Sequence, residues 1–339
     1  MRRFTILLLP IIAFMLLTIS SCNKDDEDET TSEYMEGTLS FKCQEYLPVS
    51  TQIELNATGI TNPTSGITYK WITVGFSADT TEGQNIIITT PSTTGDYTVT
   101  VSASADGFYS KSNSLAVKVI DITSENSLKG LKKSGEYITD PRDGKVYYYS
   151  TIGDLDWFNY NLNYESAGKA YKDETLLAIF MGRLYTWSEA TDNISKSGLG
   201  EGPRGVCPPG WSVPTAEDWE NLAKVLNGYT TLPFHDSWRG LGEKLTVNAQ
   251  LNDNNIWKYS PDNAQKNLFT WNALPAGCMM NNLNRFENLF SFGFWWSSTE
   301  KDSNFAEYRY IYFDSPDFPY NYVTKEYFGA SVRCVRKSL

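Results

Sequence analysis

The sequence predicts an all-β sandwich followed by an irregular α+β domain, and three observations carry that reading. Between Gly37 and Asp121, short alternating runs are separated by Gly-, Pro-, Asn- and Ser-containing turns, the spacing of a small sandwich. From about Gly135 the texture changes to a mixture of helix and strand signals with long turn-rich segments. Three blocks in that second region, Cys207 to Leu222, Phe294 to Glu300 and Gly329 to Leu339, read as scaffold: a cysteine at each end, a capped helix and an aromatic strand.

At the N-terminus, Arg2 and Arg3 precede an apolar run from Phe4 to Leu17 that closes on Ser20-Ser21-Cys22. Residues 1–21 read as a secretory signal, because the run is shorter than the roughly 20 apolar residues that a membrane span needs. The small residues before Cys22 resemble the lipobox of bacterial lipoproteins. That resemblance implies an acylated Cys22 as mature N-terminus, anchored in outer-membrane lipid. Residues 22–36 read as a solvated tether, since the five acids Asp25 to Glu29 cannot pack. Lys24, Asp25 and Asp26 resemble the signal that sends lipoproteins of Bacteroidetes to the outer face of the outer membrane, so the expected location is lipid-anchored and facing the cell exterior.

The sandwich is expected over residues 37–121, with strands in TLSFKC, TQIELNAT, ITYKWIT, QNIIITT, GDYTVTVSAS and LAVKVID. Trp71 falls on a central strand, and Tyr97 follows Gly95-Asp96 at the start of the most regular one, where a tyrosine corner sits. ITYKW followed by GDYTVTV resembles PKD and bacterial Ig-like modules of exported proteins, which act as spacers or contact units. Residues 122–135 lose the alternation and gain Ser, Lys and Gly, as expected of a linker between separately cored domains.

In the second domain, residues 136–339, turns at Asp143-Gly144 and Gly153-Asp154 bracket the strand-like run Lys145 to Ser150 and predict a hairpin. Leu184 and Trp187, three apart, predict a short helix with one buried face. After Val213 the helix signal is clearer. Thr215 is a natural N-cap, Asp218 stands at N3, and Trp219, Leu222, Ala223 and Leu226 form one apolar stripe ended by Asn227-Gly228. Glu217, Asp218 and Glu220 are expected to complement the positive end of that helix rather than to catalyse. FWWSSTE predicts a core strand with Trp295 or Trp296 pointing inward.

A net charge of -11 and a single histidine argue against nucleic-acid partners, whose phosphates need a clustered basic face. The 21 Tyr and 10 Trp suit either a loop-rich core or stacking platforms. Apart from Cys22, four cysteines remain in an oxidising compartment. Cys207 and Cys334 are the expected pair, closing a loop of about 128 residues that stabilises by roughly 4 to 5 kcal/mol in the chain-entropy model. Cys43 and Cys278, in different halves, are expected as buried free thiols. No metal or cofactor is expected: no two cysteines are close, and His235 has no ligand-spaced neighbour.

The stretches TDPRDGKVY, IGDLDW, NLNY, GRLYTWSEA, CPPGWSVPTAEDW, ALPAG, FWWSSTE and SVRCVRK resemble, in order, the FISUMP domain. This is the Fibrobacter succinogenes major paralogous domain, common in exported proteins of Bacteroidetes and Fibrobacteres. The resemblance covers about Gly135 to Lys337. It implies an irregular domain whose N- and C-terminal strands pair, more distantly similar to the C-type-lectin-like and formylglycine-generating-enzyme folds. The chemistry of those relatives does not carry over. A formylglycine-generating site needs two closely spaced cysteines near the C-terminal strands, and Cys334 has none. Ser297 and Ser298 lack a histidine for a triad. The nearest approaches to a calcium-lectin set, Pro261-Asp262-Asn263 and Trp271-Asn272-Ala273, each lack a ligand.

A ligand surface is therefore expected on the long segments Asn254 to Asn263 and Asp314 to Tyr322. Trp257, Tyr259, Phe318 and Tyr320 are the residues expected to stack on a glycan or grip a protein. The expected function is non-catalytic binding or adhesion. The alternatives are a structural or accessory subunit of a surface assembly, and an enzyme on the formylglycine-generating scaffold.

Overall fold

The computed structural model describes residues 32–123, 128–131, 133–228, 237–258, 262–280 and 284–338. The signal segment, Cys22, His235 and Tyr259 lie outside the described residues. The described chain is β-rich, with 44% strand and 12% helix in several small sheets. Helices are thus a minor part even of the region expected to be α+β, and among the described residues no helix is long and apolar enough to cross a membrane.

In the first unit, a five-stranded sheet orders Tyr46–Pro48, Lys111–Ile120, Gly95–Ser104, Thr68–Ile72 and Thr80–Glu82, and a three-stranded sheet orders Glu36–Phe41, Gln52–Asn62 and Asn85–Thr89. Both feed one core, with Leu39, Leu55, Ile86 and Ile88 from the smaller sheet meeting Trp71, Val99, Val101 and Val117 from the larger. Period-two patterning explains the choice of face: Ile86 and Ile88 are buried while Ile87 between them is 69% exposed. Each fully buried aliphatic side chain contributes about 1.5 to 3 kcal/mol. The Trp71 indole donates to the Gly83 carbonyl at 2.8 Å, and the Tyr97 hydroxyl donates back to the Thr93 carbonyl at 3.0 Å.

The second unit is organised around two cores and a third shared with the first unit. Its terminal sheet orders Glu136–Thr139, Val146–Ile152, Leu155–Phe158 and Val335–Lys337. Leu155, Asp156 and Trp157 pair with Lys337, Arg336 and Val335, so the last strand closes on the third strand of the domain. Cys207 and Cys334 are disulfide-bonded with Cα atoms 5.9 Å apart, tying the Pro-Pro-Gly turn to that closing strand. The Asp140 carboxylate, on the hairpin turn, accepts from Arg142 Nη2 at 2.7 Å, and Arg142 Nη1 donates to the Val206 carbonyl at 2.9 Å. This is why the Asp-Pro-Arg-Asp-Gly-Lys block is needed: it clamps the hairpin to the disulfide loop.

Among the described residues four α-helices fill the gaps: α1 Thr175–Met181, α2 Trp187–Thr191, α3 Ala216–Asn227 and α4 Leu241–Leu245. Helix α3 has the caps its sequence predicts. Thr215 accepts from the Asp218 backbone, Asp218 accepts from the Thr215 backbone, and Gly228 ends the helix at φ 69°. Leu184 does not share a helix with Trp187. It precedes the strand Tyr185–Thr186, and α2 starts at Trp187 because Thr186 and Glu189 form a reciprocal capping box. FWWSSTE lies in the strand Phe292–Glu300, and both Trp295 and Trp296 are fully buried. Around the two tryptophans the strand is covered on both faces, so one tryptophan fills each core.

The segment 122–135 is not a free linker between separate cores. Leu128–Lys129 pairs with Gln250–Leu251, and Ile122, Leu128 and Leu131 pack on a cluster that joins Tyr46 and Ile120 of the first unit to Leu177, Phe180, Val247 and Leu251 of the second. Three apolar residues spread among Ser, Lys and Gly carry no period, which is why the segment reads as a linker. Cys43 is half-buried rather than buried, while Cys278 is buried; both are free. Cys43 follows the end of the strand Glu36–Phe41, near the joint between the units.

Candidate functional site

The most chemically suggestive surface is built on the strand Phe305–Tyr312, whose sequence FAEYRYIY separates two chemistries by alternation. Tyr308, Tyr310 and Tyr312 are half-buried on one face, while Glu307, Arg309 and Ile311 are buried on the other. The neighbouring strand extends the first face, with Phe292 opposite Tyr312 and Phe294 opposite Tyr310. The Phe292 ring lies 4.7 Å from Tyr312 and 5.3 Å, stacked, from Phe294; Tyr308 and Tyr310 are 5.8 Å apart. These spacings are those of contacting aromatic rings, so the face is one continuous aromatic strip.

At one end the strip opens into a cleft of about 560 Å³ lined by Phe292, Tyr310, Tyr312, Ser315, Asp317, Pro319 and Tyr320. That volume is in the range of small-ligand sites. The floor is set by the antiparallel pairing of Phe305–Tyr312 with Phe318–Thr324, where Arg309 faces Tyr320. The wall is a turn braced by polar bonds: Ser315 Oγ accepts from the Asp317 backbone at 3.2 Å, and Asp317 Oδ1 accepts from the Gly240 backbone at 3.0 Å. Burial pushes the Tyr308 phenol up to about 12.

On the opposite face of the same strand, Arg309 is stacked 3.5 Å from the Trp238 ring and 4.8 Å from Tyr320. Its Nη2 approaches Glu307 at 3.4 Å, too far for a strong charge-assisted hydrogen bond. Burial pushes the Glu307 carboxyl up and the Arg309 guanidinium down to about 10, against the attraction between them. Desolvation thus outweighs the pairing, as it does for poorly bonded buried ion pairs.

The residues expected to bind fare differently. Tyr320 lines the cleft. Trp257 is 1% exposed and its indole donates to the Ala273 carbonyl at 3.0 Å, so it is a core residue. Phe318 is fully buried against Trp219, Trp238 and Trp295. The reason is that residues 318–324 form a strand rather than a loop, and alternation turns Phe318 inward. Tyr259 lies outside the described residues. Sequence reasoning missed Phe292, Tyr310 and Tyr312; the available signal was the aromatic residue at every second position of FAEYRYIY. Ser315, Asp317 and Pro319 fall in the segment expected to carry a ligand surface but were not singled out.

Reactive thiol chemistry has no support at the two free cysteines. Burial, with the Glu174 charge, pushes Cys43 up to about 11, and burial pushes Cys278 up to about 12. Among the described residues no three His, Cys, Asp or Glu side chains are grouped to hold a metal ion.

The molecule is therefore a β-rich, disulfide-tied protein with an aromatic cleft on its outer sheet. It belongs to the family described as Fibrobacter succinogenes major domain, whose sequence model matches residues 135–336, more than half of the chain. No curated protein matches it.

Proposed function

We propose that this chain is a surface-displayed lipoprotein, acylated at Cys22 in the outer membrane, whose second domain binds a glycan in the cleft of Phe292, Tyr310, Tyr312 and Tyr320 without transforming it. The single observation that carries the reading is the open aromatic strip ending in a cleft of about 560 Å³, because sugar rings stack on aromatic faces while their hydroxyls reach the polar wall. Tyr310 and Tyr312 are half-buried and line the cleft, so part of each ring faces a ligand there.

The first unit serves in this reading as an Ig-like, PKD-like spacer. Its two sheets over one core and the Tyr97 tie to Thr93 support that assignment. The paired terminal strands of the second unit support a C-type-lectin-like scaffold. The acidic tether after Cys22 supports display away from the membrane.

A glycan array probed with residues 22–339 and with Tyr310→Ala tests the binding. The wild type is expected to retain a subset of glycans and the variant to lose them at an unchanged melting temperature. A wild type that retains none sinks the reading.

A further inference from the structure

The cleft is one end of a longer surface. Strand pairing sets Phe292 and Phe294 beside Tyr312 and Tyr310 on one flank, and Asn321 beside Tyr308 on the other. Tyr308 and Tyr312 are four residues apart on an extended strand, so their Cα atoms stand about 13 Å apart along it. More than one sugar ring is needed to cover that length. Tyr308, Tyr310, Tyr312 and Val323 are half-buried on this face and Asn321 is exposed, so solvent reaches the strip well beyond the cleft. Polar groups stand at both ends: Ser315 and Asp317 where the chain turns after Tyr312, and the Asn321 amide beside Tyr308. Hydroxyl, carboxylate and amide all exchange hydrogen bonds with sugar hydroxyls, and a ligand that uses both ends must span the strip.

Ring inclination and charge narrow the ligand further. Tyr308 and Tyr310 are inclined by 39°, and Phe292 is inclined by 37° to both Tyr310 and Tyr312, on a sheet that twists from strand to strand. A flat crystalline surface would touch few of these rings, whereas a single chain can follow the twist. Along this face, none of the side chains that Phe292–Trp296, Tyr308–Tyr312 and Pro319–Val323 present by alternation is charged. The acid Asp317 stands in the wall at one end, and at the other Lys325 is paired with Glu300. A chain of uronate or sulfated sugars would meet an acid at the cleft and no cation along the strip.

We infer that the cleft and the strip together bind an internal stretch of a single neutral polysaccharide chain, several sugar units laid along the strand from Ser315 and Asp317 to Asn321. This inference rests on the glycan-binding reading above and names its ligand class: a linear, uncharged chain held along its length rather than by its end.

Isothermal titration of residues 22–339 with linear neutral gluco-, manno- and xylo-oligosaccharides of one to six units tests length and class together. In the series that binds, affinity is expected to rise at least ten-fold from one unit to four. Reduction of the six-unit ligand to its alditol should leave its affinity unchanged. Tyr308→Ala and Asn321→Ala are each expected to lower the six-unit affinity at least five-fold and to spare the shortest ligand that binds; Asn321 is exposed, so its replacement leaves the core intact. Tyr310→Ala should lose ligands of every length. Equal affinity for one unit and six, or full six-unit affinity in both Tyr308→Ala and Asn321→Ala, overturns the extended site while the glycan-binding cleft stands. Retention on polygalacturonate or on microcrystalline cellulose, with no soluble neutral oligosaccharide bound, overturns the ligand class. No binding to any of these overturns the inference together with the glycan-binding reading.

Discussion

Arg333 is held in the core by carbonyls rather than by a carboxylate. Its guanidinium donates to the Phe158 carbonyl at 3.0 Å, to Asn161 Oδ1 at 2.9 Å, to the Asn272 carbonyl at 3.2 Å and to the Trp271 carbonyl, and it stacks 3.9 Å from the Trp271 ring. Only a planar fork reaches so many acceptors at once. Arg333→Met is expected to cost about 2 to 5 kcal/mol, since several buried acceptors lose their donor; a urea midpoint equal to that of the wild type refutes the role. Asp140 makes a different point. Burial alone would raise its carboxyl, but hydrogen bonds and charge from Arg142 outweigh burial and hold it below the ordinary value. A depressed carboxyl stabilises the fold above its unfolded-state value of about 3.9 and loses that contribution as pH falls through the folded value. Asp140→Asn should therefore flatten the fall in melting temperature below about pH 4, measured by thermal scans from neutral pH downward, whereas an identical pH slope in both proteins would exclude Asp140 as a cause. At this scale the sequence marked the blocks that hold these residues, TDPRDGKVY and SVRCVRK, but not that Arg333 answers to carbonyls from segments as distant as Phe158 and Trp271.

Among elements, α3 was legible down to its caps because a helix start is a local event: Thr215 and Asp218 satisfy each other's backbone within one turn. Thr215→Ala is expected to cost about 1 kcal/mol. Asp218→Ala should cost more, because the same carboxylate also accepts from the Gly200 backbone at 2.6 Å; chemical denaturation of the two variants gives the order, and a reversed order contradicts the account. Strands were legible by period and misread by face. Alternation in FAEYRYIY puts Tyr308, Tyr310 and Tyr312 together whatever the fold, but does not tell whether that side is covered. In the segment Asp314 to Tyr322, the Pro, Asp and Asn residues signalled a loop, and the strand beginning at Phe318 exists because Phe305–Tyr312 offers it a partner.

For the whole molecule, the joint between the two units is a bonded interface. The buried Glu174 carboxylate accepts from the Glu45 backbone at 2.7 Å and the Tyr46 backbone at 3.1 Å, Asn252 donates to the Val119 carbonyl at 2.8 Å, and Tyr46 and Ile120 enter a core otherwise made by the second unit. Such an interface holds the units in one orientation. Glu174→Ala removes the acceptor for two backbone donors, each worth about 1 to 3 kcal/mol when left buried and unpaired. The expected outcome is a looser molecule with both outer cores intact: a larger radius of gyration in small-angle scattering and faster proteolysis between residues 121 and 135. Scattering curves that superpose on those of the wild type would show that the joint does not depend on Glu174.

By itself the sequence determined what depends on near neighbours and on order along the chain: the turns, the caps of α3, the strand periods, and the blocks that mark the family. Tertiary structure alone decided what depends on cover. It buried Trp257 and Phe318, opened the tyrosine strip at Tyr310 and Tyr312, drew Leu128–Lys129 into a sheet with Gln250–Leu251, and set Arg309 against the Trp238 ring on the face opposite that strip. The physical reason is that periodicity fixes which side chains share a face, whereas burial of that face is set by partners from other elements, tens of residues or more away, and no local pattern encodes them.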